Sequence, residues 1–402
     1  MHIEEKSRKS YLETLEKGTC TGCKACQAVC PIGCIEMIED THGFLYPKIK
    51  SDKCIKCGMC TGVCPYVYDH QGTMLKKAVA AVHKNDDIVF KSSSGGAFYA
   101  LAQAWEAIHG EIAIFGVCMD ENFNVIHKCV YGTENIGLLH KSKYVLSNTR
   151  DTYHEAKKLL DKGKAVLYSG TPCQIAGLKS YLAKDYHHLL CVDIFCHGAG
   201  SNSQFKQYIN EESKDISVTQ YSFRYKKDTS AKNVKLVFDN DKEVIRTRDE
   251  DLYMSGYAEA LFYRQSCLEC RYACEEREGD VSIGDGWKIR SLYPELNPDV
   301  GVSIILFNNK KSEALIEYLN TSMKIYDVPY DFVVKTVDTM TKPTYIHRNR
   351  RKFFRLVDRG YTLHKAINCC LERNRLLRKL ANKVLPERLK KFIRCCRKKL
   401  RR

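Results

Sequence analysis

CTGCKACQAVCP, residues 20–31, sets Cys20, Cys23, Cys26 and Cys30 on one short loop and closes it with Pro31. Core packing gives no reason to place four thiols so close together. The whole chain carries 21 cysteines in 402 residues. Its opening, MHIEEKSRKSYLETLEKG, is charged where a secretory leader would be apolar. These features predict a protein that stays in the cytoplasm, where thiols are kept reduced. So much cysteine then points to metal or redox chemistry and away from disulfides, and the odd count agrees.

The pattern returns 34 residues later as CIKCGMCTGVCP, residues 54–65. Both copies read C-x2-C-x2-C-x3-C-P, the run of bacterial two-cluster ferredoxins. Three thiolates on a tight loop grip three corners of a [4Fe–4S] cube, and the fourth, after a wider step, serves the other cube. Cys20, Cys23, Cys26 and Cys64 are therefore expected on one cube, and Cys54, Cys57, Cys60 and Cys30 on its partner. Gly22, Ala25, Ala28, Gly58 and Gly62 let backbone N–H groups come close to the sulfides, and Pro31 and Pro65 turn the chain. Between the copies, IEMIEDTHGFLYPKIK alternates as a hairpin does around His42 and Gly43. Zinc also uses C-x2-C pairs, but it takes four ligands in two pairs, and eight cysteines at this spacing suit it poorly. Cys34 is surplus to both sets and is expected to be a buried thiol.

Beyond Tyr68 the patterning is that of an α/β body. KKAVAAVHKN reads as a strand, SGGAFYALAQAWEAIHG as an amphipathic helix, and EIAIFGVCMD with VIHKCVYG as a hairpin. KAVLYSGTPCQIAGLKSYL reads as strand, loop and helix, followed by a strand in LLCVDIFCHG. VTQYSFRY, NVKLVFDN and KEVIRTR read as a β-meander. Cys118, Cys129 and Cys191 fall in strands, as core residues. Ser92 to Gly96 and the SGTPCQ loop each precede a helix, where free N–H groups favour a phosphate or where Ser94 and Thr171 act as N-caps. There is neither a Walker A loop nor a G-x-G-x-x-G after a strand. Farther on, Cys267, Cys270 and Cys274 occupy a polar loop. With Cys173 and Cys196 they make five loop thiols, enough for a third cube.

SSSGGAFYALAQAW, SKYVLSNT, LYSGTPCQIAGLKSYL, VDIFCHGAGS, SCLECRYA and REGDVSIGDGW, in that order, resemble the signature stretches of the family of coenzyme F-420 hydrogenase/dehydrogenase beta subunits. The resemblance spans roughly residues 75–355, with the ferredoxin module fused ahead. It implies FAD and a further [4Fe–4S] cluster. Ser92, Ser93, Ser94, Gly95, Gly96, Ser142, Lys143, Tyr144, Gly170, Thr171 and Gln174 would border the flavin. Cys173, Cys196, Cys267 and Cys270 would hold the third cube, with Cys274 as a substitute for one of them. Lys143 would stabilise the anionic reduced ring and His197 would relay a proton. The fused module and basic tail depart from a simple deazaflavin hydrogenase subunit. The same domain pairing also resembles proteins found beside polysaccharide biosynthesis enzymes.

Formal net charge is +16, of which residues 364–402 carry fifteen Lys/Arg against Glu372 and Glu387. In this tail Leu363, Ile367, Cys370, Leu377, Leu380 and Val384 recur at helical spacing, as do Leu389, Phe392, Ile393, Cys396 and Leu400 after Pro386. A basic amphipathic helix suits an anionic membrane surface at the inner face of the membrane, to which a palmitate on Cys395 or Cys396 would add. It equally suits docking on the body or on an acidic partner enzyme. Nucleic acid is disfavoured, since aromatics are not interleaved with the charges.

The expected fold is thus an α+β ferredoxin-type 2[4Fe–4S] module over 1–70, followed by an α/β flavin and iron–sulfur domain in two parts, 75–160 and 161–345. A basic helical tail over 346–402 completes it. The expected function is flavin-dependent oxidoreduction, with electrons arriving from ferredoxin or a hydrogenase/dehydrogenase subunit. The rivals are a relay subunit without its own substrate and a cluster-bearing scaffold.

Overall fold

The structure is a computed structural model that describes residues 12, 15–67, 72–227 and 230–371. In the N-terminal module, β1 (Ile35–Glu39) pairs antiparallel with β2 (Leu45–Ile49), as the alternation predicts. Gly43 takes the left-handed turn position at φ +77°, and a Cβ there would lie 2.5 Å from the Cβ of Ser203 in the body.

The body is built on β3 (Lys77–His83), β4 (Ile112–Met119), β5 (Val125–Tyr131), β6 (Ala165–Gly170) and β7 (Leu189–Ile194). The meander follows as β8 (Val218–Lys227), β9 (Ser230–Phe238) and β10 (Glu243–Thr247), and the chain returns through β11 (Val281–Asp285), β12 (Ser303–Phe307) and β13 (Met323–Val328). Eight of these strands form one sheet in the order β13-β3-β12-β11-β7-β6-β4-β5. β4, β6, β7 and β11 run parallel at its centre, and the remaining pairings are antiparallel. Central strands such as β12 are buried throughout and so read as unbroken apolar runs. Strands from 75–160 and 161–345 interleave, β3 lying between β12 and β13.

Helices cover both faces. Ala97–His109 and Leu315–Ser322 pack on one through Leu101, Trp105, Leu315 and Leu319. The other carries Thr152–Asp161 and Pro172–Leu182, whose Tyr153, Ile175 and Leu178 share an apolar cluster with Ala25, Cys26, Ile35 and Val63 of the module. Module and body therefore have one continuous core on this side.

The meander forms a three-stranded sheet of its own and packs on helices Asn202–Glu212 and Leu252–Ala258. Helix Arg350–Asp358 and the helical residues 363–371 close this second core, burying Phe353, Leu363, Ile367 and Cys370. A buried phenylalanine is worth about 1.5–3 kcal/mol, so the first part of the expected tail is docked on the body. Leu377 and the later stripe residues, with Cys395 and Cys396, lie outside the described residues. Among the described residues no helix is long and apolar enough to cross a membrane.

Candidate iron–sulfur and flavin site

Each cysteine loop turns through two left-handed residues, Gly22 and Lys24 in the first, Lys56 and Gly58 in the second. The positions correspond across the 34-residue repeat, with glycine and lysine exchanged. Short helices Ala25–Ala28 and Met59–Gly62 then carry Cys26 and Cys60.

Cys20, Cys23, Cys26 and Cys64, the set expected on one cube, line a single cavity of about 60 Å³. Burial pushes the Cys23 thiol up to about 12, with Cys20 and Cys64 adding to the rise, and Cys26 is raised in the same way. Iron binding to such thiols must release protons, which makes it pH-dependent. Of the other set, Cys57 is exposed and Cys30, Cys54 and Cys60 are half-buried. Cys34 is buried as expected but not remote, its Sγ lying 3.4 Å from that of Cys30.

A second cavity, of about 40 Å³, is lined by Cys173, Cys196, Cys267 and Cys270. The parallel strands explain two of these. β6 and β7 are neighbours, and Cys173 and Cys196 follow their carboxyl ends, where α/β sheets place their sites. Burial raises the Cys173 and Cys196 thiols and pushes Cys267 up to about 11, with the neighbouring cysteines adding to each rise. Cys274 does not line this cavity, and its Sγ donates to Glu276 O at 3.2 Å. Thr21, Ser266, Cys270 and Tyr272 border both cavities. Among the described residues no group of three or more His, Cys, Asp or Glu side chains is placed to hold a single metal ion. A cube spreads its thiolates around an inorganic core, and four thiols around each cavity, buried at Cys23 and Cys26 and half-buried elsewhere, suit that group.

The flavin candidates come together in part. Ser142 N–H donates to Ser93 Oγ at 2.7 Å. Arg224 Nη1 donates to Tyr144 Oη at 3.0 Å and to Asp285 Oδ2 at 2.9 Å, and its Nη2 to Ser93 O at 2.8 Å. Lys226 Nζ donates to Ser94 O at 2.7 Å. Near this wall stands the indole of Trp287, with the Lys232 ammonium 4.3 Å and the Arg224 guanidinium carbon 5.2 Å from its ring centre. Both cations are also ion-paired, Arg224 with Asp285 at 2.9 Å and Lys232 with Asp299 at 2.8 Å. His197 lines the second cavity, and desolvation lowers its pKa while Asp285 and Asp338 oppose the fall.

Other expected roles change. The helix after SSSGG is capped at Gly96, not Ser94, whose Oγ donates to Val302 O at 2.8 Å. Ser92 ends the preceding helix. Gly95 is required by packing, since a Cβ there would lie 2.4 Å from Ala81 O. Thr171 is an N-cap as expected, and its N–H donates to Gln174 Oε1 at 3.1 Å. Gly170 and Gln174 pack together beside it, and Gln174 Nε2 donates to Ser147 O at 3.0 Å. Lys143 is half-buried with its amine enclosed: Nζ donates to Val117 O and to His140 O, each at 2.6 Å, and desolvation pulls its pKa down to about 8. This amine is directed at backbone carbonyls.

Residues 163–331 match the family described as the C terminus of the Coenzyme F420 hydrogenase/dehydrogenase beta subunit, and residues 19–67 match a 4Fe-4S dicluster domain. The body thus resembles such a beta subunit, with a match to an iron–sulfur module ahead of it. This beta-subunit-like chain is 23% identical over 309 residues to the F subunit of F(420)H(2) dehydrogenase from Methanosarcina mazei, covering 71% of this chain and 82% of that one. It is 30% identical over 181 residues to Coenzyme F420-dependent sulfite reductase of Methanocaldococcus jannaschii, which is 44% of this chain but 27% of that relative's length. A solved F420-reducing [NiFe] hydrogenase complex from Methanosarcina barkeri covers 72% of this chain and 94% of the matched chain, at 13% identity and a TM-score of 0.46. With its dicluster-domain match, the chain is an iron–sulfur electron-transfer protein related to the F(420)H(2) dehydrogenase subunit and the F420-dependent sulfite reductase.

Sequence reading missed Arg224, Asp285, Arg264, Asp193 and Arg277, all of which border or support these sites. Asp285 and Arg277, both in the quoted REGDVSIGDGW, and Asp193, in VDIFCHGAGS, lay within stretches that the sequence singled out.

Proposed function

We propose that the protein is an iron–sulfur flavoprotein oxidoreductase subunit, exchanging electrons between a one-electron carrier and a two-electron partner. The observation that carries this reading is Cys270, which borders both cysteine-ringed cavities and so brings the thiols of the module next to those of the body. When bound, [4Fe–4S] cubes supply one-electron chemistry, and FAD couples single electrons to hydride.

Cys20, Cys23, Cys26 and Cys64 would hold one cube, Cys30, Cys54, Cys57 and Cys60 a second, and Cys173, Cys196, Cys267 and Cys270 a third. FAD would be held by Ser93, Ser142 and Tyr144 together with Arg224 and Lys226. His197, which lines the second cavity and is open to solvent, would move a proton. Lys143 acts as a positioning residue, clamping the loop that carries Ser142 and Tyr144 onto β4. The exposed edge at Cys57 is the approach for a carrier such as ferredoxin or another subunit. The names of the relatives point to coenzyme F-420 as the two-electron partner.

Iron, acid-labile sulfide and flavin content of anaerobically purified protein tests this reading. About twelve irons and one flavin per chain are expected. About eight irons without flavin would remove the third cube and FAD from the proposal and leave a two-cube relay serving a partner enzyme.

A further inference from the structure

Arg264 is only 1% exposed, yet no ion pair to its guanidinium is found among the described residues. Its Nε donates to Cys20 O at 2.8 Å and one Nη2 hydrogen to Leu45 O at 2.9 Å. Nη1 is shielded from solvent and has no hydrogen-bond partner. The ring centre of Tyr46 lies 4.1 Å from the guanidinium carbon and that of Phe44 5.7 Å. A cation taken out of water is strongly disfavoured unless a negative charge faces it, and backbone carbonyls with ring faces make an incomplete substitute.

The position of Arg264 indicates where that negative charge belongs. On one side is the first cysteine loop: a Cβ on Gly22 would lie 3.2 Å from Nη1, so the glycine lets the guanidinium against the backbone between Cys20 and Cys23. On the other side Arg264 lines the cavity of Cys173, Cys196, Cys267 and Cys270. A thiolate-ligated cube is negatively charged and becomes more so on reduction, so a buried cation beside it favours the reduced form.

We infer that Arg264 is the buried counter-charge of the cube on Cys20, Cys23, Cys26 and Cys64, raising its reduction potential. This rests on the reading that the module binds its cubes. The bland alternative is a strut, whose hydrogen bonds to Cys20 O and Leu45 O merely tie module to body. The two differ in what charge does: a counter-charge is replaced by lysine and lost with glutamine, whereas a strut built on the arginine fork is lost with either.

The test is an EPR-monitored redox titration of the anaerobic full-length protein, native and with Arg264→Lys or Arg264→Gln. A background of Cys57→Ser with Cys173→Ser removes the other two proposed cubes and isolates the relevant signal. Arg264→Gln should shift the oxidised-to-reduced ratio about tenfold toward oxidised, about 59 mV downward for one electron. Arg264→Lys should stay within about threefold of native, about half that shift. Native protein without cluster iron would overturn both the inference and the reading beneath it. Iron retained in Arg264→Gln at an unmoved potential would overturn the inference alone. Where Arg264→Gln loads no iron, loading of Arg264→Lys decides: iron restored at a near-native potential supports the counter-charge, and iron missing from both variants overturns it in favour of the strut.

Discussion

Arg277 Nη2 donates to Asp193 Oδ1 at 2.9 Å, with the two side chains 2% and 0% exposed. Asp193 lies in β7, three residues before Cys196, and its Oδ2 also accepts from Gly279 N–H at 2.9 Å. The other guanidinium hydrogens reach Tyr272 O, Ile194 O and Ser282 Oγ. The pair therefore fixes the Cys267–Cys274 loop to the strand that delivers Cys196. Asp193→Ala leaves a buried cation alone and should destabilise the protein by about 3–5 kcal/mol. Urea unfolding of the anaerobic protein measures this. The loss in the double variant with Arg277→Met should fall short of the sum of the single losses, as expected of coupled partners.

The cavity lining separates Cys173 from Cys274. Cys173→Ser should lower iron by about four per chain, whereas Cys274→Ser should leave it unchanged. Equal loss in both variants would mean that Cys274 is a ligand beside Cys173 and that the cavity lining does not give the ligand set.

Gly177 sits in helix Pro172–Leu182, where a Cβ would lie 2.9 Å from Cys23 Cβ and 3.1 Å from its Sγ. Gly177→Ala should press on the first cysteine loop, cost about 1–3 kcal/mol through overpacking, and alter the EPR spectrum of the Cys20 cube. The spectrum of the Cys57 cube should not change, and an unaltered spectrum for both would mean that helix and loop are not held in contact.

His127 is fully enclosed, with Nδ1 facing Ser147 Oγ and Nε2 facing Ser169 O, and burial lowers its pKa to about 4. Between that value and the ordinary 6.5 the unfolded chain binds a proton that the folded chain does not. The stability this contributes is complete above pH 6.5 and is lost as pH falls toward 4, by up to about 3 kcal/mol. His127→Gln should remove that part of the acid sensitivity, as seen by comparing native and variant unfolding at neutral and at mildly acid pH.

The local elements were legible because each has its own periodicity: both module loops, the 35–49 hairpin, the β4–β5 hairpin, the strand-loop-helix around Cys173 and the meander all lie where the pattern places them. Sheet order was not legible, because β3 and β12 are apolar on both faces and nothing in such runs names a neighbour. Arg224 escaped for a sharper reason. Alternation along VTQYSFRY puts Phe223 inward and Arg224 outward, but the register against β9 shifts between Ser222 and Tyr225, and both side chains are buried. Arg264 had no motif to announce it, and Asp193, though inside VDIFCHGAGS, takes its meaning from Arg277 far away in the chain.

The seam between module and body is held by Lys24 to Asn148, Ser201 to His42 and Arg271 to Pro65, beside the residues that border both cavities. A tethered ferredoxin domain works as a shuttle, swinging between donor and acceptor at a pace set by linker length and solvent viscosity. Here the seam is interlocked by those hydrogen bonds and a shared apolar cluster, so the module behaves as a fixed terminal. On the proposed function, the gap at Cys270 would then be a matter of packing geometry, and viscous solvents should slow the docking of an outside carrier while leaving the internal hand-off untouched.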